Sequence, residues 1–294
     1  MTLSEYLAEQ TRLVEGALDR CVPQESVPPE IIHRAMRYSL FAGGKRIRPI
    51  LCIAAARTIS DDVDGIEMAA CTLELIHTYS LIHDDLPALD NDDLRRGRPT
   101  CHKVFGEAMA ILAGDSLLTL AFQVLSQLPG LDPARKIRLI EELSTASGTV
   151  GGMIGGQVHD LEGEGKEPTK DLLESIHRAK TGALLKASVR MGAIYAGASE
   201  AELASLTCYG DRIGLAFQIV DDILDVEQSS EALGKTAGKD AVQRKITFPA
   251  VYGLERSRLM AEEERKAAHR ALEQFGPRAQ RLRELADLIV SRTA

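Results

Sequence analysis

Two aspartate clusters, far apart in the chain, could hold divalent cations. The first lies in IHDDLPALDNDDLRRGRPT, residues 82–100, and its members are Asp84, Asp85, Asp90, Asp92 and Asp93. The second lies in FQIVDDILD, residues 217–225, where four polar residues recur at helical spacing: Gln218, Asp221, Asp222 and Asp225. Residues three and four apart share a helix face, so these carboxylates would be crowded together. Crowded carboxylates repel one another and resist burial unpaired, which indicates a bound cation.

The ligand types favour Mg²⁺, with Mn²⁺ as the other ion that would fit, because all the donors are hard oxygens and no cysteine is among them. Mg²⁺ takes one or two carboxylates and fills its octahedron with water and phosphate oxygens. Two facing clusters therefore predict a phosphorylated ligand between them. Pro87 is expected to bend or end the first helix, so that Asp90 returns toward Asp84. A solvated helix end would explain either cluster alone, but it explains two such clusters less well.

Basic side chains accompany the acidic clusters at polar breaks in the sequence. They are Lys45, Arg46 and Arg48 in GGKRIRP, Arg95 and Arg96 after the first cluster, Lys180 in RAKTG, and Lys235, Lys239 and Lys245 in and after LGKTAGKD. A guanidinium group can bind phosphate oxygens bidentately. His77 precedes Asp84 by seven residues, which on a helix is about 20° from the same face and about 10 Å along the axis. His77 is therefore predicted to contact a second anion rather than the metal.

Helical periodicity dominates the elements that must position these side chains. In residues 66–83, Ile66, Ala69, Leu73 and Ile76 recur near 3.6-residue spacing over more length than a strand takes. No convincing run of alternating β-branched residues and no Asn-Gly hairpin signal is found. The breaks between helical patterns are too short for interdomain linkers. The sequence thus predicts one all-α domain over residues 1–294, with about ten helices.

Composition excludes several classes of protein. A net charge of −8 and an aromatic content of 4% argue against a nucleic-acid binder, which needs a basic face or stacking platforms. The five cysteines are odd in number, widely spaced and without a C-x-x-C pair, which is typical of reduced thiols in a cytoplasmic protein. No apolar run is expected to reach the roughly 20 residues that span a bilayer.

Taken together, these residues resemble the trans-isoprenyl diphosphate synthases, most closely the bacterial farnesyl diphosphate synthases. The resemblance covers about residues 30–250 and is carried by GGKRIRP, SLIHDDLPALDNDDLRRGRPTCHKVFGEAMAILAGD, GGMIGGQVHDL, KTGAL, FQIVDDILD and GKTAGKD. One DDxxD motif also occurs in terpene cyclases, whereas two with this basic set in this order are more specific. The resemblance implies a homodimer of helical bundles, each around a deep central cavity with the two aspartate motifs facing each other at its mouth.

The implied activity is the Mg²⁺-dependent joining of an allylic diphosphate to isopentenyl diphosphate. By resemblance, the main metal ligands are Asp84, Asp90 and Asp221, with Asp85, Asp222 and Asp225 in support. The allylic diphosphate would be held by Arg95, Lys180 and Lys235, with Lys245, and isopentenyl diphosphate by Lys45, Arg48, His77 and Arg96. The oxygens of Thr181 and Gln218 would stabilise the allylic cation.

Product length would depend on the cavity floor, which the resemblance assigns to Tyr79 and Ser80, five and four positions before the first aspartate. An aromatic residue at the fifth position suits a fifteen-carbon product, farnesyl diphosphate. On an ideal helix Ser80 lies about 40° from Asp84 but Tyr79 about 140°. Tyr79 as an ordinary core residue therefore stays open. The four residues between Asp85 and Asp90 also occur in geranylgeranyl synthases, so the longer product is the alternative.

Three other functions would explain parts of this pattern. A terpene cyclase would need neither the second diphosphate pocket nor a second complete DDxxD. A metal-dependent phosphohydrolase could use His83 and Asp84 but would leave residues 217–225 unexplained. A non-catalytic partner subunit would be expected to lose aspartates or lysines from these motifs, and this chain keeps them.

Overall fold

The computed structural model describes residues 1–163, 165, 169–227 and 246–292. The helices are α1 (Leu3–Cys21), α2 (Glu30–Leu40), α3 (Ile47–Ile59), α4 (Ile66–Asp84), α5 (Cys101–Phe105), α6 (Glu107–Ser126), α7 (Pro133–Ser147), α8 (Met153–Gly163), α9 (Lys170–His177), α10 (Ala183–Tyr195), α11 (Glu200–Glu227), α12 (Phe248–Tyr252), α13 (Leu254–Ala271) and α14 (Gln280–Ser291). A π-helical turn, Arg178–Gly182, joins α9 to α10, and a 3₁₀ segment, Glu273–Ala279, precedes α14. The predicted all-α class is confirmed.

The contacts divide the chain into two compact units. The first unit comprises Met1–Ile50 and Asp64–Ile140, and the second comprises Leu51–Val63 and Glu141–Ala294. The single domain predicted over residues 1–294 stays a prediction.

The core of the first unit is α4, which is apolar around most of its circumference. Its residues are buried almost without interruption from Ala69 to Tyr79, and it packs against α1, α2 and α6. Gly114 allows the close approach of α6, because a Cβ there would lie 2.2 Å from Nε2 of His83. The helix ends at Asp84, so the first aspartate cluster is carried on the end of a core helix.

Helix α6 meets the length and composition of a membrane-spanning helix, alone among the described helices. An apolar run of this length was not expected from the sequence. A core helix of a water-soluble protein can have the same composition, and one face of α6 packs against α2 and α4. Length and composition are therefore weak evidence that α6 crosses a membrane.

Arg46 belongs to the core of the first unit rather than to a binding surface. Its side chain is fully buried, and it forms ion pairs of 2.7 Å with both Glu15 and Glu74. It also donates a 2.7 Å hydrogen bond to the carbonyl of Leu40. These contacts tie the connection between α2 and α3 to α1 and α4. From the sequence, Arg46 was predicted to be one of the phosphate-binding cations. The spacing of residues alone does not show that its side chain is buried.

A two-stranded hairpin follows the first aspartate cluster, although no hairpin signal such as Asn-Gly is present in its residues. Strand β1 (Leu94–Arg95) pairs antiparallel with β2 (Arg98–Pro99), and the loop is Arg96–Gly97. Both loop residues have positive φ, 53° and 72°, as a type I′ turn requires. Positive φ costs a non-glycine residue roughly 1–2 kcal/mol. The Arg96 guanidinium offsets part of this cost by donating to the carbonyl of Gly43.

The second unit is built around α11, which packs against α10, α13 and α14. Two glycines let α11 approach the π-helical turn, since a Cβ on Gly214 would lie only 3.0 Å from Cα of Gly182. Buried apolar residues of α11, among them Ile219 and Ile223, form a core with Phe248 and Ala261. The polar residues of the second aspartate cluster therefore lie on a helix that is otherwise largely buried.

Replacing Arg46 by Met tests the buried ion pair. The change leaves Glu74, which is 2% exposed, without its charge partner, and breaking a buried pair typically costs about 3–5 kcal/mol of unfolding free energy. Chemical denaturation should show this loss, and the double variant R46M/E74Q should recover part of it. The exposed pair Arg256–Glu263 is the control, and R256M should leave the unfolding midpoint unchanged. Equal midpoints for R46M and R256M would show that Arg46 does not stabilise the core.

Candidate active site

The first aspartate cluster folds back on the end of α4. The backbone N–H of Asp90 donates to the carbonyl of Asp84 at 2.8 Å, and that of Asp92 donates to Asp85 at 3.2 Å. Pro87 follows the helix end by three residues. This geometry confirms the expectation that Asp90 returns toward Asp84.

The two adjacent aspartates of this cluster have different environments. The Asp85 carboxylate is buried and accepts from Arg95, whose Nε and Nη2 lie 2.7 and 2.6 Å from the same oxygen. Burial raises the pKa of Asp85, while the hydrogen bond and charge of Arg95 act in the opposite direction. Asp84 and Asp90 are half-buried. The cluster thus combines an anchored carboxylate with two that are more open to solvent.

The predicted cations of the first unit lie around His77. Burial lowers the pKa of His77 well below its usual value, and the charges of Arg48, Arg96, Arg95 and Arg46 lower it further. A neutral imidazole surrounded by guanidinium groups is a favourable environment for an anion. Lys45 is exposed on the loop before α3.

The two residues assigned to the cavity floor are adjacent in α4 but have different environments. Tyr79 is 5% exposed, and its ring meets that of His83 edge to face at a centroid distance of 5.8 Å. Burial, with a contribution from Asp84, raises the pKa of Tyr79 to about 12. Its hydroxyl has no hydrogen-bond partner within the described ranges. Ser80 is half-buried and donates to the carbonyl of His77 at 2.9 Å.

In the second unit, Asp222 is the anchored member of the aspartate cluster. It is 5% exposed, and its Oδ2 accepts from the backbone N–H of Phe248 at 2.8 Å. The same oxygen lies 3.3 Å from Nε2 of His177. Asp225 is also buried, whereas Asp221 is half-buried.

Arg292, near the C-terminus, contacts the half-buried member of this cluster. Its Nη2 lies 3.3 Å from Oδ1 of Asp221 and donates to the carbonyl of Phe217 at 2.9 Å. The guanidinium also stacks on the Phe217 ring at 3.8 Å. Burial lowers the pKa of Arg292, while the Asp221 charge opposes this. The sequence analysis assigned no chemistry to the tail, because an isolated arginine there carries no signal.

The π-helical turn presents Lys180 and Thr181 beside α8. Nζ of Lys180 donates to Oδ2 of Asp160 at 2.6 Å. Gly156 permits this packing, since a Cβ there would lie 2.1 Å from the backbone N of Lys180. Single π-helical turns occur frequently at functional sites. Gln218 donates through Nε2 to Nδ1 of His177 at 3.0 Å.

Sequence reasoning missed Asp160 and His177 as functional candidates. Asp160 lies in GGMIGGQVHDL, a segment singled out only for its resemblance, and His177 is a single histidine in a helical pattern. The predicted ligands Lys235 and Lys245 lie outside the described residues.

The donors fit a Mg²⁺ site that is completed by a substrate. Within the described part of the chain, no three His, Cys, Asp or Glu side chains form a group that could hold a metal alone. Mg²⁺ is ordinarily bound through one or two carboxylates together with substrate phosphates and waters. Half-buried Asp84, Asp90 and Asp221 could supply such carboxylates.

Comparison with known proteins decides the family, because the polyprenyl synthetase profile matches residues 29–289. The chain belongs to the polyprenyl synthetase family. The predicted resemblance is confirmed, and the assignment to prenyl transfer with it.

Relatives within this family are similar over most of the chain. A heterodimeric geranylgeranyl pyrophosphate synthase large subunit from Arabidopsis thaliana is 52% identical, covering 87% of this chain and 70% of its own length. A farnesyl diphosphate synthase from Geobacillus stearothermophilus is 50% identical, covering 86% of each chain. The apo crystal structure of an FPP/GFPP synthase from Zymomonas mobilis has a TM-score of 0.87 and 35% identity, covering 99% of this chain and all of that one. The names of these proteins refer to products of different chain length, so the comparison does not determine the product of this chain.

The depressed pKa of His77 predicts a pH-dependent contribution to stability. The unfolded chain takes up a proton on this residue below about pH 6.5, whereas the folded protein does so only at lower pH. The unfolded state therefore binds more protons in that window, and His77 destabilises the fold as the pH falls below about 6.5. Denaturation of the wild type and of H77Q at several pH values measures this contribution. The stability of the wild type relative to H77Q should fall between about pH 7 and pH 5, and a constant difference would contradict the assignment.

Proposed function

We propose that this protein is a Mg²⁺-dependent prenyltransferase that condenses isopentenyl diphosphate with dimethylallyl and then geranyl diphosphate to make farnesyl diphosphate. The observation that carries the proposal is that each aspartate cluster has a half-buried aspartate close to cationic side chains of its own unit. Such groups suit a ligand that is both metal-bound and anionic. Geranylgeranyl diphosphate synthesis, the same chemistry with one further condensation, is the alternative.

The first step breaks the allylic C–O bond, and the electron pair leaves with the diphosphate. Mg²⁺ held by Asp84, Asp90 and Asp221 would stabilise the charge that develops on that group. Arg95 and Lys180, with Lys235 and Lys245, would bind its remaining oxygens. Preorganised cations in a water-excluding site stabilise such charge far more than they would in water.

The second step joins the two substrates. Lys45, Arg48, His77 and Arg96 would hold the diphosphate of isopentenyl diphosphate, so that its alkene carbon attacks the allylic cation and forms a C–C bond. The neighbouring carbon then loses a proton, for which the departed diphosphate is the proposed acceptor. The oxygens of Thr181 and Gln218 would stabilise the cation without trapping it, since neither is a strong nucleophile.

One assay distinguishes this function from its rivals. The protein is incubated with Mg²⁺, isopentenyl diphosphate and either dimethylallyl or geranyl diphosphate, and the organic products are identified both before and after phosphatase treatment. Farnesol supports the proposal, and geranylgeraniol supports the alternative. A cyclic hydrocarbon, or simple hydrolysis of the allylic substrate, would contradict both, and so would no reaction in the presence of Mg²⁺.

Lys180 provides a test of the first step. Replacing Lys180 by Met removes a cation from the leaving group, so the single-turnover rate should fall by about 100-fold or more. The KM for isopentenyl diphosphate should change little, because that substrate is assigned to different cations. Lys186→Met is the matched control. Lys186 lies in α10, directly after the π-helical turn that carries Lys180, and forms a half-exposed ion pair with Asp211. Equal losses in rate and in isopentenyl diphosphate binding would count against the assignment.

Tyr79 provides a test of product length. If its ring closes the space available to the growing chain, Tyr79→Ala should shift the main product from fifteen to twenty carbons or more. Tyr79→Phe is the control, because it keeps the ring and removes only a hydroxyl that lacks a partner in the described structure. Products are compared by chromatography at equal turnover. An unchanged product in the Ala variant would make Tyr79 an ordinary core residue.

A homodimer is the proposed assembly, and the outer face of α6 supports it. Only 39% of the residues in the most apolar stretch of this helix are buried. Ile111 and Leu112 are 45% and 48% exposed on the side away from the buried Ala110 and Ala113. An apolar face of this kind on a helix whose inner side already packs is typical of a subunit interface.

Charging this face tests the dimer. Leu112→Glu should convert the dimer to a monomer in sedimentation velocity, because an interface core does not accommodate an unpaired charge. Leu259→Glu is the control, since Leu259 is an exposed leucine of α13. A wild-type monomer, or a Leu112→Glu variant that stays dimeric, would contradict the proposed interface.

The proposed compartment is the cytoplasm. The five cysteines are all free thiols, which fits a reducing environment.

A further inference from the structure

His177 joins the π-helical turn to the second aspartate cluster. It is the last residue of α9, directly before the turn that carries Lys180 and Thr181. Its side chain is 6% exposed, and its two ring nitrogens face two residues of α11. Nδ1 lies 3.0 Å from Nε2 of Gln218, and Nε2 lies 3.3 Å from Oδ2 of Asp222. Gln218 and Asp222 are four residues apart, so the imidazole spans one turn of α11.

The ring is also fixed from a third side. Phe248, at the start of α12, stacks on His177 with a centroid distance of 5.3 Å and an interplanar angle of 21°. The backbone N–H of Phe248 donates to the same Asp222 oxygen that faces Nε2 of His177. The carboxylate therefore has two neighbours in fixed positions, and the imidazole cannot rotate without losing its stacking on Phe248.

The Asp222 carboxylate determines the tautomer of His177, because a lone pair on Nε2 would face a negative oxygen only 3.3 Å away. The ring proton is therefore on Nε2, and Nδ1 accepts from the Gln218 amide nitrogen. Nε2 and the carboxylate oxygen are within ion-pair distance but are not aligned for a hydrogen bond. The interaction between His177 and Gln218 is therefore the directional one of the two.

This hydrogen bond also determines the orientation of the Gln218 amide. An amide group has its nitrogen on one side and its oxygen on the other, and the terminal torsion of glutamine is broad and roughly two-fold on its own. Because the nitrogen is bound to the imidazole, the oxygen must face away from it. An inverted amide would turn partial positive charge to that side instead.

We propose that His177 is a positioning residue, which orients the Gln218 carbonyl oxygen and holds Asp222 in place for the ionisation of the allylic substrate. The inference rests on the proposed function and extends it to a residue that contacts neither the substrate nor the reacting atoms. Gln218 contributes a partial negative charge to the allylic cation only when the amide is oriented by the imidazole. His177 therefore acts on the chemical step and not on the binding of isopentenyl diphosphate.

Three variants of His177 separate its contacts. Phe keeps the planar ring and the stacking on Phe248 but provides no partner to Gln218 or Asp222. Asn places an amide oxygen near the position of Nδ1 and restores the acceptor for Gln218. Gln places its amide near the position of Nε2 and restores only the side that faces Asp222. His269→Phe is the control, since His269 also pairs with a carboxylate, Asp287, at 2.8 Å, but on α13.

The measurement is the single-turnover rate with geranyl diphosphate, together with the KM for isopentenyl diphosphate. H177F should lower the rate by about 10- to 100-fold, with the KM unchanged and with the helical circular dichroism and melting temperature close to those of H269F. H177N should recover most of the rate, and H177Q less. In the background of Gln218→Ala, H177F should lower the rate by much less than it does in the wild type, because only the contact with Asp222 is then left to lose.

Several results would overturn the inference while leaving the proposed function intact. These are a wild-type rate for H177F, a KM that rises as much as the rate falls, or additive losses in the double variant. If H177F fails to fold, H177N decides the matter, because it must then be both folded and more active than H177Q. A wild-type protein that forms no prenyl product overturns the proposed function itself, and the two failures are thereby distinguished.

Discussion

Carboxylates that lie on buried helices must be neutralised, and both aspartate clusters meet this constraint in a similar way. In each adjacent pair the second aspartate is anchored: Asp85 by Arg95, and Asp222 by the Phe248 backbone beside His177. The first member of each pair, Asp84 or Asp221, is half-buried. Adjacent residues on a helix point about 100° apart, so one can face the core while the other faces solvent. Each D-D pair therefore combines a buried carboxylate that is held by protein contacts with one that is more open to solvent, as the proposed metal ligand must be.

Much of this could be predicted from sequence, because periodicity and residue type report directly on helices and on ligand chemistry. The helical class and the return of Asp90 toward Asp84 past Pro87 are examples. The roles of Arg46 and Arg96 could not be predicted in the same way. Arg46 looks like its neighbours in GGKRIRP, but burial beside Glu15 and Glu74 makes it part of the core. Arg96 takes a positive φ that an arginine rarely adopts, so the hairpin had no signal.

His177 and Arg292 illustrate a second limit of sequence reasoning. Each lies far in sequence from the aspartate that it approaches, and neither belongs to a recognisable spacing pattern. Only packing brings the end of α9 and the C-terminal arginine to α11. Both lie beside carboxylates that share one helix face and repel one another unless hydrogen-bond donors or cations approach them. The product is a finer question than the family, because relatives that match this chain about equally well are named for products of different length.

The proposed function requires that the two aspartate clusters bind magnesium around a single allylic diphosphate. A crystal structure of the protein with Mg²⁺ and the unreactive thiolo analogue of geranyl diphosphate tests it most directly. The account predicts that carboxylate oxygens of Asp84, Asp90 and Asp221 lie about 2.1 Å from magnesium ions that share oxygens of one diphosphate. Metal ions bound to one cluster alone, or two clusters that open to separate regions of solvent, would contradict it.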